Sequence, residues 1–486
     1  MNNLIDLMPI LALAAIVVPF LGALLIVVLP RRAAQPVSIG AAALSLLFCI
    51  LVSSGFWFNG KLSTSYSLIA YGDMSLIGLI FDKLSTLLAP AFVGIGLLVL
   101  VYSVSYLSEA NREHADIARR RFYALLLSFI GAMAGLAYAS TIVTQLVFFE
   151  ITGACSWALI GYYETEQSQK AANKALVLTH IASLGMFVAT ALMFCNLGSL
   201  DLADLSKLGA TEKSIVMLCI MFAAWGKSAQ LPLYMWLPSA MAAPTPVSAY
   251  LHGGSMVKVG VAVLARAVLC AGTVDPVVAW VGIVGAMLTL IFSFIEYLPQ
   301  TDMKRLLAFS TISQLSYIFL ALSIAMLGSQ AAYEGGVSHI FNHAFAKTLF
   351  FLVAGCLSYT MGTRNLSKIK GLIKKQPLVG LAFIIAALAV AGVPPFSGFF
   401  SKFLIFQGGF SLAYDSLALF VLMCLLAAET VACFAWFLLW INRSVLGETN
   451  DLVASASPVP TSMKIVFVVL GIMAVASSAI ASIWLA

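Results

Sequence analysis

Charged residues are scarce in this sequence. Lysine, arginine, aspartate and glutamate make up 9% of the 486 residues, whereas hydrophobic residues make up 62%. Soluble domains carry about 25% charged residues on average, so this composition excludes a soluble globular fold. The formal net charge of +6 comes mostly from lysines and arginines in loops. We attribute it to membrane topology, and not to nucleic-acid binding.

Closely spaced cysteines and a glycine-rich phosphate loop are also missing. The eight cysteines are scattered, with none of the short spacings that bind zinc or iron–sulfur clusters. No glycine-rich loop opens a helix after a strand. We therefore predict no metal, no cofactor and no catalytic residue for redox chemistry in this chain. Its energy must come from an ion gradient or from a partner subunit.

Long apolar runs make up most of the sequence, and they predict an all-α membrane protein. About 14 runs are long enough to cross roughly 30 Å of hydrocarbon as helices. None alternates in the manner of a barrel strand, and the first lacks the preceding basic residues of a cleaved signal peptide. The expected spans begin near Leu11, Val37, Gly78, Phe122, Thr141, Ala172, Ile215, Val247, Val277, Leu306, Val337, Val379, Leu417 and Ile465.

Basic residues are distributed unevenly between the loops on the two sides of the membrane. One set of alternate loops is rich in arginine and lysine, and the other contains only Lys61, Lys207 and Lys213. The positive-inside rule places the basic set in the cytoplasm and both termini on the periplasmic side of a bacterial inner membrane. The basic run from Lys368 to Lys375 is interpreted as a topological anchor, with an anionic-lipid or subunit contact as the alternative.

Prolines interrupt two of the expected helices. Pro232 and Pro238 follow Lys227, and Pro394 and Pro395 precede Lys402, roughly 160 residues later. Paired interrupted helices indicate inverted repeats, although a simple kink in a packed bundle is the alternative. We expect two inverted five-helix repeats with one broken helix each. The predicted units are 1–121 with three helices, 122–272 and 273–442 with the two repeats, and 443–486 with the last helix.

Ionisable residues inside the apolar runs are the candidate functional residues. A charge in hydrocarbon is costly unless it meets a partner, water or a proton. Glu150 and Lys227 are expected to form a pair whose separation releases a proton, or else a static ion pair that fixes helix packing. His252 and Lys258 follow each other along one predicted helix and form a candidate relay step.

The segment HIFNHAFAKTLFF carries the sharpest local pattern. His339, His343 and Lys347 are spaced i, i+4, i+8 and share one helical face, as a proton relay requires. A metal site is the rival interpretation, but a lysine on the same face repels a cation. Lys402 and Glu429 could pass the proton onward. For Asp82 and Arg266, nearer helix ends, snorkelling to the interface is expected, and for His180 a satisfied polar contact.

Six segments in order resemble the antiporter-like membrane subunits shared by respiratory complex I, multisubunit cation/proton antiporters and group 4 membrane-bound hydrogenases. They are FFEITGACSWALI, FAAWGKSAQLPLYMWLPSAM, APTPVSAYLHGGSMVKVG, DMKRLLAFSTISQL, HAFAKTLFFLVAG and GVPPFSGFFSK. The stretch NREHADIARRRFYALLLSFIGAMAGL is most similar to the D component of hydrogenase-4, the formate hydrogenlyase type. The resemblance also implies that the long lateral helix of the distal complex I subunit is absent.

The resemblance implies roles for the candidate residues. Glu150 and Lys227 would form the coupling pair, Lys258 with His252 the central step, His339, His343 and Lys347 the series, and Lys402 the lysine of the twelfth helix. The implied partners are further antiporter-like subunits, a quinone-site-like subunit, membrane lipid and a peripheral electron-transfer arm with iron–sulfur and nickel–iron subunits. The translocated ion is the proton, with sodium left open.

Three functions remain open from the sequence. The first is the proton-translocating membrane subunit of a hydrogenase-4 or formate hydrogenlyase-type oxidoreductase. The second is a sodium or potassium/proton antiporter subunit, or a complex I quinone-oxidoreductase membrane subunit. The third is a structural scaffold with vestigial charges.

Overall fold

The computed structural model describes residues 2–114 and 119–486, with side chains from residue 4 onward. The stretch compared with hydrogenase-4, residues 111–136, includes residues 115–118, which lie outside the described residues. The α-helices in chain order are α1 Asn2–Val28, α2 Ala34–Phe58, α3 Lys83–Tyr106, α4 Arg120–Tyr138, α5 Ile142–Ile160, α6 Glu166–Leu197, α7 Ala210–Lys227, α8 Trp236–Ser239, α9 Thr245–Gly253, α10 Met256–Ala271, α11 Pro276–Tyr297, α12 Met303–Met326, α13 Gln330–Met361, α14 Leu372–Lys375, α15 Pro377–Ala391, α16 Ser397–Ala413, α17 Leu417–Trp440, α18 Asp451–Ala454 and α19 Thr461–Leu485.

These helices make the chain a multi-pass membrane protein of the predicted all-α class. In the described residues, twelve helical segments are long and apolar enough to cross a membrane, with α9 and α10 counted as one segment. The other two expected spans are the interrupted segments 210–239 and 377–413. The expected number of about 14 is therefore an approximate description of a bundle in which several helices are broken.

Both proline-rich segments are broken where the sequence predicts. Helix α7 ends at Lys227, and regular α-helix resumes only at Trp236, beyond Pro232. Helix α15 ends at Ala391, and α16 begins at Ser397, after Pro394 and Pro395. Proline cannot donate the backbone hydrogen bond that would continue the helix. The division into two repeats, 122–272 and 273–442, stays a prediction.

A third break was not expected. Helix α9 ends at Gly253 and α10 begins at Met256, so His252 and Lys258 lie on two separate helices. The prediction that one continuous helix carries both residues is wrong. Gly253 explains the close packing here, because an added Cβ would collide with Thr348 Oγ1.

A β-hairpin precedes α3 and corrects the expected span near Gly78. Strands β1 Thr64–Tyr71 and β2 Met74–Phe81 pair antiparallel, with Tyr71 opposite Met74 across a two-residue turn. Gly72 adopts a φ of +60° in that turn, a conformation that glycine takes without strain. The membrane helix begins at Lys83, where the Asp82 side chain accepts a hydrogen bond from the Ser85 backbone.

Helices α12 and α13 form the centre of the bundle. The most apolar 18-residue window of each is completely buried within the protein, whereas about a third of the corresponding window of α2 is. Asp302 caps α12 by accepting from the Arg305 backbone, and Ser329 caps α13 in the same way through Ala332. The predicted series of histidines and lysine therefore lies on one of these two enclosed helices, α13.

Candidate functional site

Lys258 and His343 are in direct contact at the centre of the bundle. Lys258 Nζ lies 2.6 Å from His343 Nδ1, and the two residues are 0% and 3% exposed. Helix α10 supplies the lysine and α13 the histidine. The contact joins the two predicted repeats through groups that both bind protons.

His339 continues this row along α13. Its ring centroid lies 5.8 Å from that of His343, as expected one helical turn away. Its Nδ1 lies 2.8 Å from Ser401 Oγ on α16, and its ring centroid lies 6.1 Å from that of Tyr317 on α12. The histidine thus connects the central contact to the second interrupted segment.

Tyr317 links the row to Lys402 and Glu429. The Tyr317 hydroxyl donates to Glu429 Oε2 at 2.5 Å, and Ser313 Oγ donates to Glu429 Oε1 at 3.0 Å. Lys402 Nζ lies 4.4 Å from the centroid of the Tyr317 ring, a cation–π arrangement. The lysine and the carboxylate therefore flank one tyrosine and do not form a direct salt bridge.

Lys402 also binds the backbone that the second break exposes. Its Nζ donates to the carbonyl oxygens of Val390 and Ala391 at 3.2 and 3.3 Å. These carbonyls end α15 and have no intrahelical donor, because the helix stops there. The break in the helix thus provides carbonyl oxygens that bind a lysine inside the membrane.

Lys347 lies on the predicted face of α13 but binds a different neighbour. Its Nζ donates to Ser310 Oγ on α12 at 2.9 Å. It is 0% exposed. We place it beside the row formed by Lys258, His343, His339, Tyr317 and Glu429, which we call the central row.

His252 lies near the central row without a direct hydrogen bond to it. The residue is 0% exposed and its ring stacks on Phe351, with centroids 4.4 Å apart. Among the described residues, neither ring nitrogen has a hydrogen-bond partner. Buried polar atoms of this kind are commonly satisfied by water.

Lys227 and Glu150 do not form the expected ion pair. Lys227 Nζ donates to the Phe149 carbonyl at 3.0 Å and lies 4.6 Å from the centroid of the Phe149 ring. Glu150 Oε2 instead lies 3.1 Å from His180 Nδ1 on α6. The expectation of a polar contact for His180 agrees with this geometry, but its partner was not foreseen.

The Glu150 side chain is also less buried than that of Lys227. The Glu150 side chain is 31% exposed and that of His180 is 56% exposed, whereas Lys227 is 1% exposed. Successive side chains on a helix point about 100° apart, so Glu150 leaves α5 in a different direction from the Phe149 ring on which Lys227 lies. Glu150 thus lies at the side of the helix bundle, and Lys227 lies in its interior.

The lysines of the site have no carboxylate neighbour at salt-bridge distance. Among the described residues, the salt bridges include none of the following: Lys227, Lys258, Lys347 and Lys402. An ammonium group buried in low dielectric without a carboxylate partner is costly. This property suits groups that pass protons.

A polar cavity of about 910 Å³ opens at one end of the bundle. Lys304 lines it and donates to the carbonyls of Met241 and Ala243 at 2.9 and 2.7 Å. Arg364 binds Glu113 at 2.5 Å and Asp302 at 2.7 Å across the same cavity. Burial disfavours the charged guanidinium, but the two carboxylates raise the pKa of Arg364 above its ordinary value.

Asp82 and Arg266 correct a second expectation. Arg266 donates to both carboxylate oxygens of Asp82, with Nη2 to Oδ1 at 3.1 Å, and the two side chains are 3% and 11% exposed. The residues are buried and paired, so the predicted snorkelling to the interface is wrong. The pair fastens α10 to the start of α3.

Tyr317 is the principal site residue that sequence reasoning missed. Ser310, Ser313 and Tyr317 are spaced i, i+3, i+7 and therefore share one face of α12. That polar stripe in an apolar helix was the available signal. Lys304, in the first turn of α12, is a second residue that the sequence does not single out, because nothing local shows the free carbonyls that it binds.

Comparison with known proteins identifies the family. The family described as "NADH:quinone oxidoreductase/Mrp antiporter, TM" matches residues 139–427, more than half of the chain. The chain belongs to this family. The antiporter-like superfamily resemblance is therefore confirmed.

The sequence is similar to those of named antiporter and oxidoreductase components over most of its length. It is 35% identical over 412 residues to the A/B component of a probable K(+)/H(+) antiporter of Rhizobium meliloti, and 34% identical over 418 residues to the A1 component of a Na(+)/H(+) antiporter of Staphylococcus haemolyticus. It is 34% identical over 405 residues to the L component of the NADH-quinone oxidoreductase of Escherichia coli. Each match covers 80% of this chain, but only 39%, 50% and 64% of the respective relatives.

Two solved assemblies contain chains of the same fold. A chain of the Mrp complex from Dietzia sp. matches with a TM-score of 0.84 and 27% identity, over 96% of this chain and 50% of that one. A chain of the archaeal membrane-bound sulfane sulfur reductase matches with a TM-score of 0.84 and 24% identity, over 98% and 95%. At that identity the second match shows the fold alone. The protein is therefore a multi-pass membrane protein of this family, and it has the fold of a chain found in an Mrp complex.

Proposed function

We propose that this chain conducts protons as one membrane subunit of a multisubunit sodium or potassium/proton antiporter. The contact between Lys258 and His343 carries the proposal, because it joins proton-binding groups of both predicted repeats in the most buried part of the bundle. The antiporter names of two relatives favour this function over the hydrogenase-4 type.

The proposed path follows the central row. A proton on Lys258 moves to His343, then to His339, and leaves through Tyr317 and Glu429. Water bridges the ring-to-ring steps, where His252 Nδ1, His252 Nε2, His339 Nε2 and His343 Nε2 are buried polar atoms without a protein partner among the described residues. Lys347 and Lys402 set the charge beside the row, since a nearby positive charge favours deprotonation.

Lys227 and Glu150 would couple this path to the next subunit. Phe149 holds Lys227 through its carbonyl, and Glu150 is the next residue along α5. A rotation of α5 that brings Glu150 toward Lys227 would break the contact with His180 and stabilise the charged lysine. Two unit charges a few ångströms apart interact by several kcal/mol at an effective dielectric near 20, enough to shift a proton equilibrium.

The assembly and orientation are part of the proposal. The partly exposed pair of Glu150 and His180 favours a neighbouring membrane subunit on the face of α5 and α6, because lipid tails cannot solvate it. Basic loops that the sequence assigns to one side contact each other, as Arg364 does with Glu113 and Lys374 with Glu448. We propose that this side faces the cytoplasm and that both termini face the periplasm.

A second candidate is a membrane subunit of a respiratory oxidoreductase. The Escherichia coli L component matches this chain over 64% of its length, a larger share than the two antiporter components, at similar identity. In that case a peripheral arm with iron–sulfur, and in a hydrogenase also nickel–iron, subunits would drive the same path. The narrower hydrogenase-4 assignment has no support from the relatives named here.

Transport by the reconstituted complex tests these functions. Lys258→Ala and His343→Ala should each abolish cation-driven proton movement in vesicles without an electron donor, while Lys170→Ala, at an exposed pair with Glu166, should leave it unchanged. Loss only when an electron donor is supplied would support the respiratory function. Wild-type proton movement in both variants under both conditions would contradict a path along the central row.

A further inference from the structure

We propose that the crevice between α15 and α19 binds an anionic phospholipid with a hydroxylated headgroup, of the phosphatidylglycerol type. Two adjoining hollows form this crevice, with volumes of about 390 and 520 Å³. Leu378 lines both. One hollow is polar and lies at the helix ends, and the other runs along the apolar helix faces.

The polar hollow presents groups that fit a phosphodiester. The exposed side chains of Lys375 and Lys464 line it from the two sides of the crevice. Among the described residues, neither lysine forms a salt bridge, whereas the adjacent Lys374 is paired with Glu448 at 2.7 Å. The two lysines are therefore available to an external anion.

Gln376 supplies a buried acceptor in the same hollow. The residue is 6% exposed, and its Nε2 donates to the Ser457 carbonyl at 3.0 Å. Its Oε1 is buried and has no hydrogen-bond partner among the described residues. A carbonyl oxygen held in this way needs a donor, which a headgroup hydroxyl provides and a bare phosphate diester does not.

The first turns of two helices border this hollow, since Pro377 and Leu378 of α15 and Lys464 of α19 line it. Helix α15 begins at Pro377 and α19 at Thr461, and no side chain caps either of them. The first turns of a helix carry free N–H groups and a partial positive charge, which together favour phosphate. The N-termini of both helices, the two lysines and Gln376 could therefore all bind one headgroup. A single helix N-terminus alone would offer only its N–H groups.

The apolar hollow suits an acyl chain. Its lining runs down both helices and consists of Leu378, Leu381, Ala382, Ile385, Phe467, Val468, Gly471, Ile472, Val475 and Ala476. Gly471 keeps the groove open, because the nearest atom to an added Cβ would be Ile385 Cδ1 at 3.8 Å. A side chain larger than alanine at this position would occupy the space of the lipid tail.

The arrangement favours a lipid over a partner helix. All the basic and hydrogen-bonding groups lie at the end of the crevice near the membrane surface, and the rest is apolar. A phospholipid has this distribution of polarity along its length, and it reaches the crevice directly from the bilayer. The basic segment from Lys368 to Lys375, interpreted above as a topological anchor, thus gains a second role.

Native mass spectrometry of the purified complex in detergent, titrated with phosphatidylglycerol, tests the site. Lys375→Ala/Lys464→Ala should weaken binding roughly 10- to 30-fold. Gly471→Leu should weaken it independently by filling the groove. Lys374→Ala is the matched control, since its charge is already paired, and it should change affinity less than about twofold. Phosphatidylmethanol should bind more weakly than phosphatidylglycerol, because it is a phosphodiester of the same charge without a headgroup hydroxyl.

Four results would overturn the proposal. Equal binding of phosphatidylethanolamine would remove the need for the lysines, and competition by inorganic phosphate alone would remove the need for the groove. An equal loss with Lys374→Ala would indicate non-specific attraction to the basic segment. Loss of a copurifying subunit from Gly471→Leu, without any lipid bound to the wild type, would assign the crevice to a protein partner. Thermal unfolding confirms that each variant is folded.

Discussion

Lys258 Nζ and His343 Nδ1 lie 2.6 Å apart, although the residues are separated by 85 positions in the chain. Two positive charges at that distance in a buried site would repel strongly, so a proton on one group disfavours a proton on the other. Which group holds a proton depends on the charges nearby. A contact of this kind transmits a change of charge from α10 to α13 without a large movement.

Replacing Lys258 by arginine tests whether this proton must move. Arginine keeps a positive charge at this position but does not release its proton at accessible pH. Lys258→Arg should therefore reduce proton transport at least about tenfold in reconstituted complex, while assembly is retained. Proton flux in vesicles measures the effect, and Lys170→Arg at an exposed helix position is the control. Transport at the wild-type rate in Lys258→Arg would show that the lysine acts only through its charge.

The Tyr317 hydroxyl provides a separate test of the exit. Tyr317→Phe keeps the ring on which Lys402 lies but removes the donor to Glu429 Oε2. We expect proton flux to fall roughly 10- to 100-fold, since Glu429 loses its connection to His339. Tyr138→Phe is the control, because Tyr138 is equally buried and packs on Phe81. A similar decrease in both variants would point to packing and not to proton transfer.

The sequence predicted most of the fold and the residue types of the site, but not all the contacts. Helix positions follow from apolar runs and breaks from prolines, and both depend on local chemistry. The pairing of Glu150 with His180 depends on the rotation of α5 about its axis, which periodicity does not fix. The break after Gly253 was missed because glycines are common in membrane helices.

The buried pair of Asp82 and Arg266 is another contact that the sequence did not predict. Both residues lie near predicted helix ends, where exposure to the interface is the usual outcome. Only the packing of α10 against the start of α3 buries them, and that contact joins residues 184 positions apart. Long-range contacts of this kind cannot be read from one sequence.

This pair leads to a prediction about stability. Arg266→Met leaves the Asp82 carboxylate buried without its partner and should destabilise the protein by about 3 kcal/mol. Asp82→Asn/Arg266→Met should recover most of that loss, because asparagine is neutral and can still accept from the Ser85 backbone. Thermal unfolding in detergent measures both. Lys207→Met, at an exposed pair with Asp204, should cause no measurable change, and a double variant less stable than Arg266→Met would contradict the assignment.

The close packing of α7 against α10 gives the last prediction. Gly260 faces the Ala224 carbonyl and Ser228 Oγ, and an added Cβ would collide with both. Gly260→Ala should therefore cost about 1–3 kcal/mol and displace α10, which carries Lys258, from the helix that carries Lys227. Gly40→Ala is the matched control, because no atom lies within 4 Å of an added Cβ in α2. Thermal unfolding and proton flux should both decrease for Gly260→Ala, whereas Gly40→Ala should match or exceed wild-type stability. Full transport in a destabilised Gly260→Ala variant would mean that the spacing between α7 and α10 does not control the path.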